Sequence, residues 1–141
     1  MSRDAAGPKS KFPPLLHFTY NLQQLAEELV VKETGVGLSQ ARILSGLSSA
    51  VSRSQRHLAA ELNQTESNVS RQLKAMKRHG LVNISKNRRD GRQRDVTLTA
   101  KGARIAAKAE KVLKSQQRNF LKALNKGEAD VLEYAAQKFS R

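Results

Sequence analysis

Apolar residues at Leu15, Phe18, Leu22, Leu25 and Leu29 recur at steps of three and four. That spacing puts them on one side of a helix, and it predicts a helix from about Pro14 to Thr34. Gly35 and Gly37 stop it. Ser39 is expected to cap a second helix with Ile43, Leu44 and Leu47 inward. Ser54 is expected to cap a third, short helix carrying Leu58, Ala59 and Leu62. Asn63 tolerates the left-handed backbone of a tight turn, and Thr65 can cap a fourth helix that Gly80 ends near His79. Two short helices joined by about three residues have helix-turn-helix spacing.

The period then changes from that of a helix to that of a strand. Leu81, Val82 and Ile84 open one extended stretch, and Val96 and Leu98 alternate with Thr97 and Thr99 in a second. Between them lies Asp90-Gly91, a hairpin-turn signal, so a two-stranded hairpin is expected. Thr99 can cap a long helix from about Ala100 to Asn125, its apolar side formed by Ile105, Ala109, Val112, Leu113, Phe120, Leu121 and Leu124. Gly127 is expected to break it before a last helix carrying Val131, Leu132, Ala135 and Phe139. The fold class is therefore mainly α with a small two-stranded β-wing.

Charge changes the picture from fold to partner. The 141 residues carry a formal net charge of +14, which favours an anionic partner, most often nucleic acid. From Arg53 to Arg104 there are 13 basic against 4 acidic residues, so most of the excess sits in the middle of the chain. A localised excess reads as a footprint more than as a general solubility device.

The fourth helix shows what that footprint does. Val69, Leu73 and Met76 fall on one side, and Ser67, Arg71, Lys74 and Arg78 on the other. Ser67, Asn68, Ser70 and Arg71 combine short hydrogen-bonding groups with one long fork, a mixture suited to base edges in a major groove. Lys74, Lys77 and Arg78 lie further along, where phosphates would be met, and Ser54 and Gln55 at the start of the third helix are assigned to phosphate as well. The competing reading is an ordinary amphipathic helix with a solvated charged face. Glu66 is read as favouring the helix N-terminus electrostatically.

The hairpin tip carries Arg88, Arg89, Asp90, Arg92 and Arg94. So dense a cluster would repel itself unless it met a polyanion. Arg92 is a candidate for a minor groove, with Asp90 holding its guanidinium as a bidentate partner.

Other chemistry finds little footing. There is no cysteine, hence no disulfide, thiolate zinc site or thiol switch. His17, His57 and His79 are widely separated, and no metal or other cofactor is expected. No nucleophile–base spacing, phosphate loop or paired acidic motif suggests an enzyme. Glu27, Glu28 and Glu33 are read as a solvated face of the first helix. No apolar run is long enough for a membrane span, and a cytoplasmic location is expected. Residues 1–13 are read as a flexible N-terminal arm.

These residues carry a resemblance. Asp90 to Gly102, D-G-R-Q-R-D-V-T-L-T-A-K-G, is similar to the wing of the MarR (multiple antibiotic resistance regulator) family: D-x-R, an alternating strand, then L-T-x-x-G opening a long helix. Leu58 to Val82 resembles the family's reading helices, and Gly35 to Leu47 resembles it more weakly. The resemblance implies a winged helix-turn-helix over residues 37–99, with residues 14–36 and 100–141 as a helical dimerisation region. It implies a homodimer on a pseudo-palindromic operator in double-stranded DNA, acting as a repressor and released by a small aromatic or anionic effector. It makes Arg71 the recognition-helix arginine and Asp90 and Arg92 the wing pair. His17, Tyr20 and Arg42 are candidates for the effector site by position. The chain departs from the family pattern at Gly91, where arginine is frequent, and at Asn63, where glycine is. A sequence-tolerant architectural nucleic-acid protein is the alternative.

Overall fold

The computed structural model describes residues 11–140; the sequence reading of an N-terminal arm falls largely on residues 1–10, outside the described part. The element order is α1 (Pro14–Thr34), α2 (Leu38–Ser45), β1 (Arg53–Ser54), α3 (Gln55–Glu61), α4 (Glu66–Arg78), β2 (Val82–Lys86), β3 (Arg94–Leu98), α5 (Ala100–Lys122) and α6 (Lys126–Phe139). All six expected helices are present. No described helix is long and apolar enough to cross a membrane.

One core joins α2, α3, α4 and the sheet to one side of α1 and α5. Val30, Ile43, Leu44, Leu58, Val69, Leu73, Met76, Leu81, Val82 and Val96 are essentially inaccessible. The inward sets expected for α2, α3 and α4 are all buried. The helices meant to lie outside this core behave differently. In α1 the buried residues are Ala26 and Val30, while Leu15 and Leu25 of the expected stripe stay 71% and 54% exposed. No residue of α6 is buried, and Phe139 is 80% exposed.

The wing contains a strand that the sequence pattern did not indicate. The sheet has three antiparallel strands in the order β1-β3-β2. Arg53 pairs with Val96 and Ser54 with Asp95, while the hairpin runs in register from Val82 opposite Leu98 to Lys86 opposite Arg94. A two-residue strand is too short to show alternation, which is why it escaped notice.

Three caps agree with the sequence and two ends do not. Ser54, Thr65 and Thr99 accept from the N–H groups of His57, Asn68 and Gly102. Ser39 does not cap α2; Gly37 holds that position with no side chain to offer. Gly127 does not end α5 but lies inside α6, which Asn125 and Glu128 open with a reciprocal capping box.

Candidate nucleic-acid interface

The reading helix is positioned by its turn. Asn63 adopts φ 54°, the left-handed conformation expected of it. The chain then enters α4 through Thr65, whose hydroxyl accepts from Asn68 N–H at 3.1 Å. Glu66 in the first turn and Lys77 and Arg78 in the last turn complement the helix dipole. Glu66 also faces Arg56 of α3 at 3.7 Å. Val69, Leu73 and Met76 anchor the inner face in the core.

With that face fixed, the opposite one has to face out. Ser67, Ser70, Arg71, Lys74 and Arg78 line a single open groove of about 370 Å³. Five expected DNA-contacting residues are thus brought together by one helix. Asn68 stands apart from them: half-buried, its amide donates to Gln64 Oε1 at 3.3 Å. Lys77 is exposed but does not line the groove.

The wing is ordered by a residue that the sequence reading passed over. The Asn87 amide donates to Asp95 at 3.0 Å, and its oxygen accepts from the N–H groups of Arg89 at 2.8 Å and Asp90 at 3.0 Å. Gly91 has no positive φ, so the tip is not the two-residue turn that Asp-Gly suggests. It is a longer loop closed by Asn87 N–H to Gln93 O and Gln93 N–H to Asp90 O, both at 3.0 Å. Asp90 does not pair with the Arg92 guanidinium. Its Oδ1 accepts from Arg92 N–H at 3.0 Å, which shapes the loop and leaves the Arg92 side chain free of any ion pair among the described residues. Arg88, Arg89, Arg92 and Arg94 are all exposed, and Arg94 donates to Gly91 O at 3.2 Å.

Between wing and reading helix lies a notch of about 400 Å³. Gln55, Glu66, Arg92 and Arg94 are among its walls. Ser54 is half-buried, and its hydroxyl is engaged as the cap of α3 at 3.0 Å from His57 N.

Residues 34–93, which contain both the groove and the wing tip, match the model of the MarR family. By that match the segment is similar to the MarR family. Solved structures extend the likeness in fold to most of the chain. A Staphylococcus aureus MepR–DNA complex is 17% identical, covering 88% of this chain and 91% of that one at a TM-score of 0.76. An Escherichia coli MarR point mutant with operator DNA is 21% identical, covering 94% and 98% at 0.75. Streptomyces coelicolor PcaV with its natural ligand is 21% identical, covering 94% and 95% at 0.75. The comparison with curated proteins gave no match.

Beside the matched segment lies a cleft of about 800 Å³ between α1, α2 and α5. Of the three effector candidates only Arg42 lines it. Tyr20 is exposed, and His17 meets Asn21 through its ring nitrogen at 3.2 Å. The cleft wall also holds Ser39, Gln64, Glu110, Leu113 and Lys114.

Polar contacts join that wall to the reading helix. Glu27, expected in a solvated face, instead accepts from Leu38 N–H at 2.6 Å, capping α2 where Gly37 cannot. Ser39 donates to Gln72 Oε1 at 2.9 Å, and Gln72 in turn donates to Gln64 Oε1 at 3.3 Å. Gln64 therefore takes two bonds from α4, through Asn68 and Gln72. The capping by Glu27 acts across eleven positions, so no local signal announces it.

Proposed function

We propose that the chain is a DNA-binding transcription regulator that acts as a homodimer. The single observation that carries this is the outward groove of α4, where Ser67, Ser70 and Arg71 stand beside Lys74 and Arg78 with no acidic side chain among them. Arg71 is a bidentate donor for guanine, the serines reach either base type, and Lys74 and Arg78 neutralise phosphates. Arg92 at the wing tip takes the neighbouring minor groove. That MepR and E. coli MarR were solved with DNA supports the reading.

Within residues 14–36 and 100–141, the exposed apolar faces of α1 and α6 supply the dimer interface. Leu15, Leu16, Tyr20, Val131, Tyr134 and Phe139 are large, apolar or aromatic, and exposed on α1 and α6, and such surface favours burial against a second copy. A twofold dimer presents its reading helices to major grooves about one helical turn apart, hence a pseudo-palindromic operator. Occupying the operator represses transcription.

A small aromatic or anionic effector in the cleft releases the DNA. Its walls offer apolar Leu38, Ala41 and Leu113, with Arg42 as a cation. PcaV was solved with its natural ligand, which supports a ligand-responsive reading. Release requires that the effector bind the non-reading arrangement more tightly than the reading one.

Selection of bound sites from random duplex DNA tests the proposal. The expected product is an inverted repeat bound by two chains. Enrichment of no motif, at equal affinity for all duplexes, would favour a sequence-tolerant architectural protein.

A further inference from the structure

α5 carries charge that the reading head does not use. Lys101, Arg104, Lys108, Lys111, Lys114, Arg118 and Lys122 recur at steps of three and four along it. At 100° per residue they share one side, roughly opposite the buried Gly102 and Ala109. All seven are exposed.

An ordinary solvated helix face mixes signs, because Glu–Lys pairs three or four apart stabilise it and like pairs do the reverse. Here the acid is missing from the stripe. Glu110, the one acidic residue of α5, lies at its margin and pairs with Lys114 at 2.6 Å. That hydrogen bond, and then the charge of Lys114, hold the Glu110 carboxyl below its ordinary value. Lys101 donates to His79 O at 3.1 Å. Arg104, Lys108, Lys111, Arg118 and Lys122 have no hydrogen-bond or ion-pair partner among the described residues.

We propose that this stripe of α5 is a second binding surface for the phosphate backbone of duplex DNA, separate from the reading groove and wing. From Lys101 to Lys122 it extends about 30 Å at 1.5 Å per residue, the length of about nine base pairs. Duplex is favoured over a compact anion because the charges form a line rather than a pocket. It is favoured over single-stranded nucleic acid because Phe, Tyr and Trp are absent from that side, leaving bases nothing to stack on. The stripe starts at the reading head, since Lys101 bonds the C-cap of α4. The phosphates are those of the operator's flanks, which leave the reading head where the stripe begins. This inference rests on the DNA-binding reading above.

The test uses the full chain and a triple variant, Lys108→Gln, Lys111→Gln and Arg118→Gln, all at exposed positions outside the reading groove. Each protein is titrated with a selected operator of minimal length, with the same operator extended by flanks on both sides, and with a labelled random duplex added to the operator complex. Between 50 and 200 mM salt, wild type is expected to lose roughly tenfold or more additional affinity for the extended operator, as three extra phosphate contacts require. The triple variant is expected to show the same salt slope on both lengths. Co-capture of the random duplex by wild type and not by the variant, with no effect of operator length, would assign the stripe to a second molecule and overturn the flank reading.

The proposal is overturned if wild type and variant match in both arms while operator preference is intact. It is also overturned if the variant loses binding only to phosphatidylglycerol vesicles or to single-stranded RNA. Loss of all operator preference in wild type would instead strike the reading head, so the two failures are distinguishable.

Discussion

Gly102 in the first turns of α5 packs its Cα against the backbone of Leu81. A Cβ built on Gly102 would overlap the Leu81 carbonyl oxygen and lie 3.0 Å from its carbon. Around this contact Thr99 ties three elements together. Its N–H donates to Leu81 O at 3.1 Å, its hydroxyl to Gly80 O at 2.6 Å, and the same hydroxyl accepts from Gly102 N–H at 2.9 Å. The end of the reading helix, the first wing strand and the start of α5 are thereby held at one point. The L-T-x-x-G pattern is a packing requirement.

Gly102→Ala is therefore expected to destabilise the fold by about 1–3 kcal/mol, since backbone must shift to admit the methyl group. Urea denaturation measures it as a lowered midpoint at unchanged slope. An unaltered midpoint would mean that the close approach is not enforced.

Thr99→Ala removes a cap and a bond to Gly80, and is expected to cost about 0.5–2 kcal/mol. Thr99→Ser keeps the hydroxyl and is expected to recover most of it. Equal losses in the two variants would assign the effect to the methyl group.

Arg71→Ala is expected to weaken operator binding by about 1–3 kcal/mol and to relax preference at one base pair in each half-site. Titrating a set of singly substituted operators reads this out. A uniform loss across the set would make Arg71 a phosphate contact.

Asn87→Ala is expected to loosen the loop from Arg88 to Gln93, because three backbone or side-chain partners are lost at once. Faster amide exchange at Arg89 and Asp90 should accompany weaker binding to operators with A·T-rich flanks. Tight binding despite a disordered tip would remove wing geometry from recognition.

Glu27→Ala is expected to cost about 0.5–2 kcal/mol through the uncapped start of α2, and Glu27→Gln less, since an amide oxygen still accepts from Leu38. Thermal unfolding of both variants checks the order.

What could be read from the chain follows the range of the forces involved. α3, α4 and the strands were legible because Leu58, Val69, Leu73, Met76, Val82 and Val96 repeat at the period of their own element and all enter the core. The caps at Ser54, Thr65 and Thr99 act over three residues and were legible too. The capping box of Asn125 and Glu128 was equally local, but the glycine between them drew the reading to a break. The Glu27 cap and the β1–β3 pairing join distant segments and left no periodic trace. Along α4, helical spacing correctly placed Ser67, Arg71, Lys74 and Arg78 on one side, but it could not show Asn68 turned toward Gln64. At the wing tip, Asp-Gly marked the hairpin but not the shape of its loop, which the side chain of Asn87, three residues before Asp90, sets.

The central claim is that α4 and the wing read sequence. Competition between a selected operator and a scrambled duplex of equal length, at 150 mM salt, tests it most directly. The account predicts a preference for the operator of at least about 10³-fold, the lower end for specific regulators, falling in Arg71→Ala. A ratio near one for the wild-type protein would contradict it.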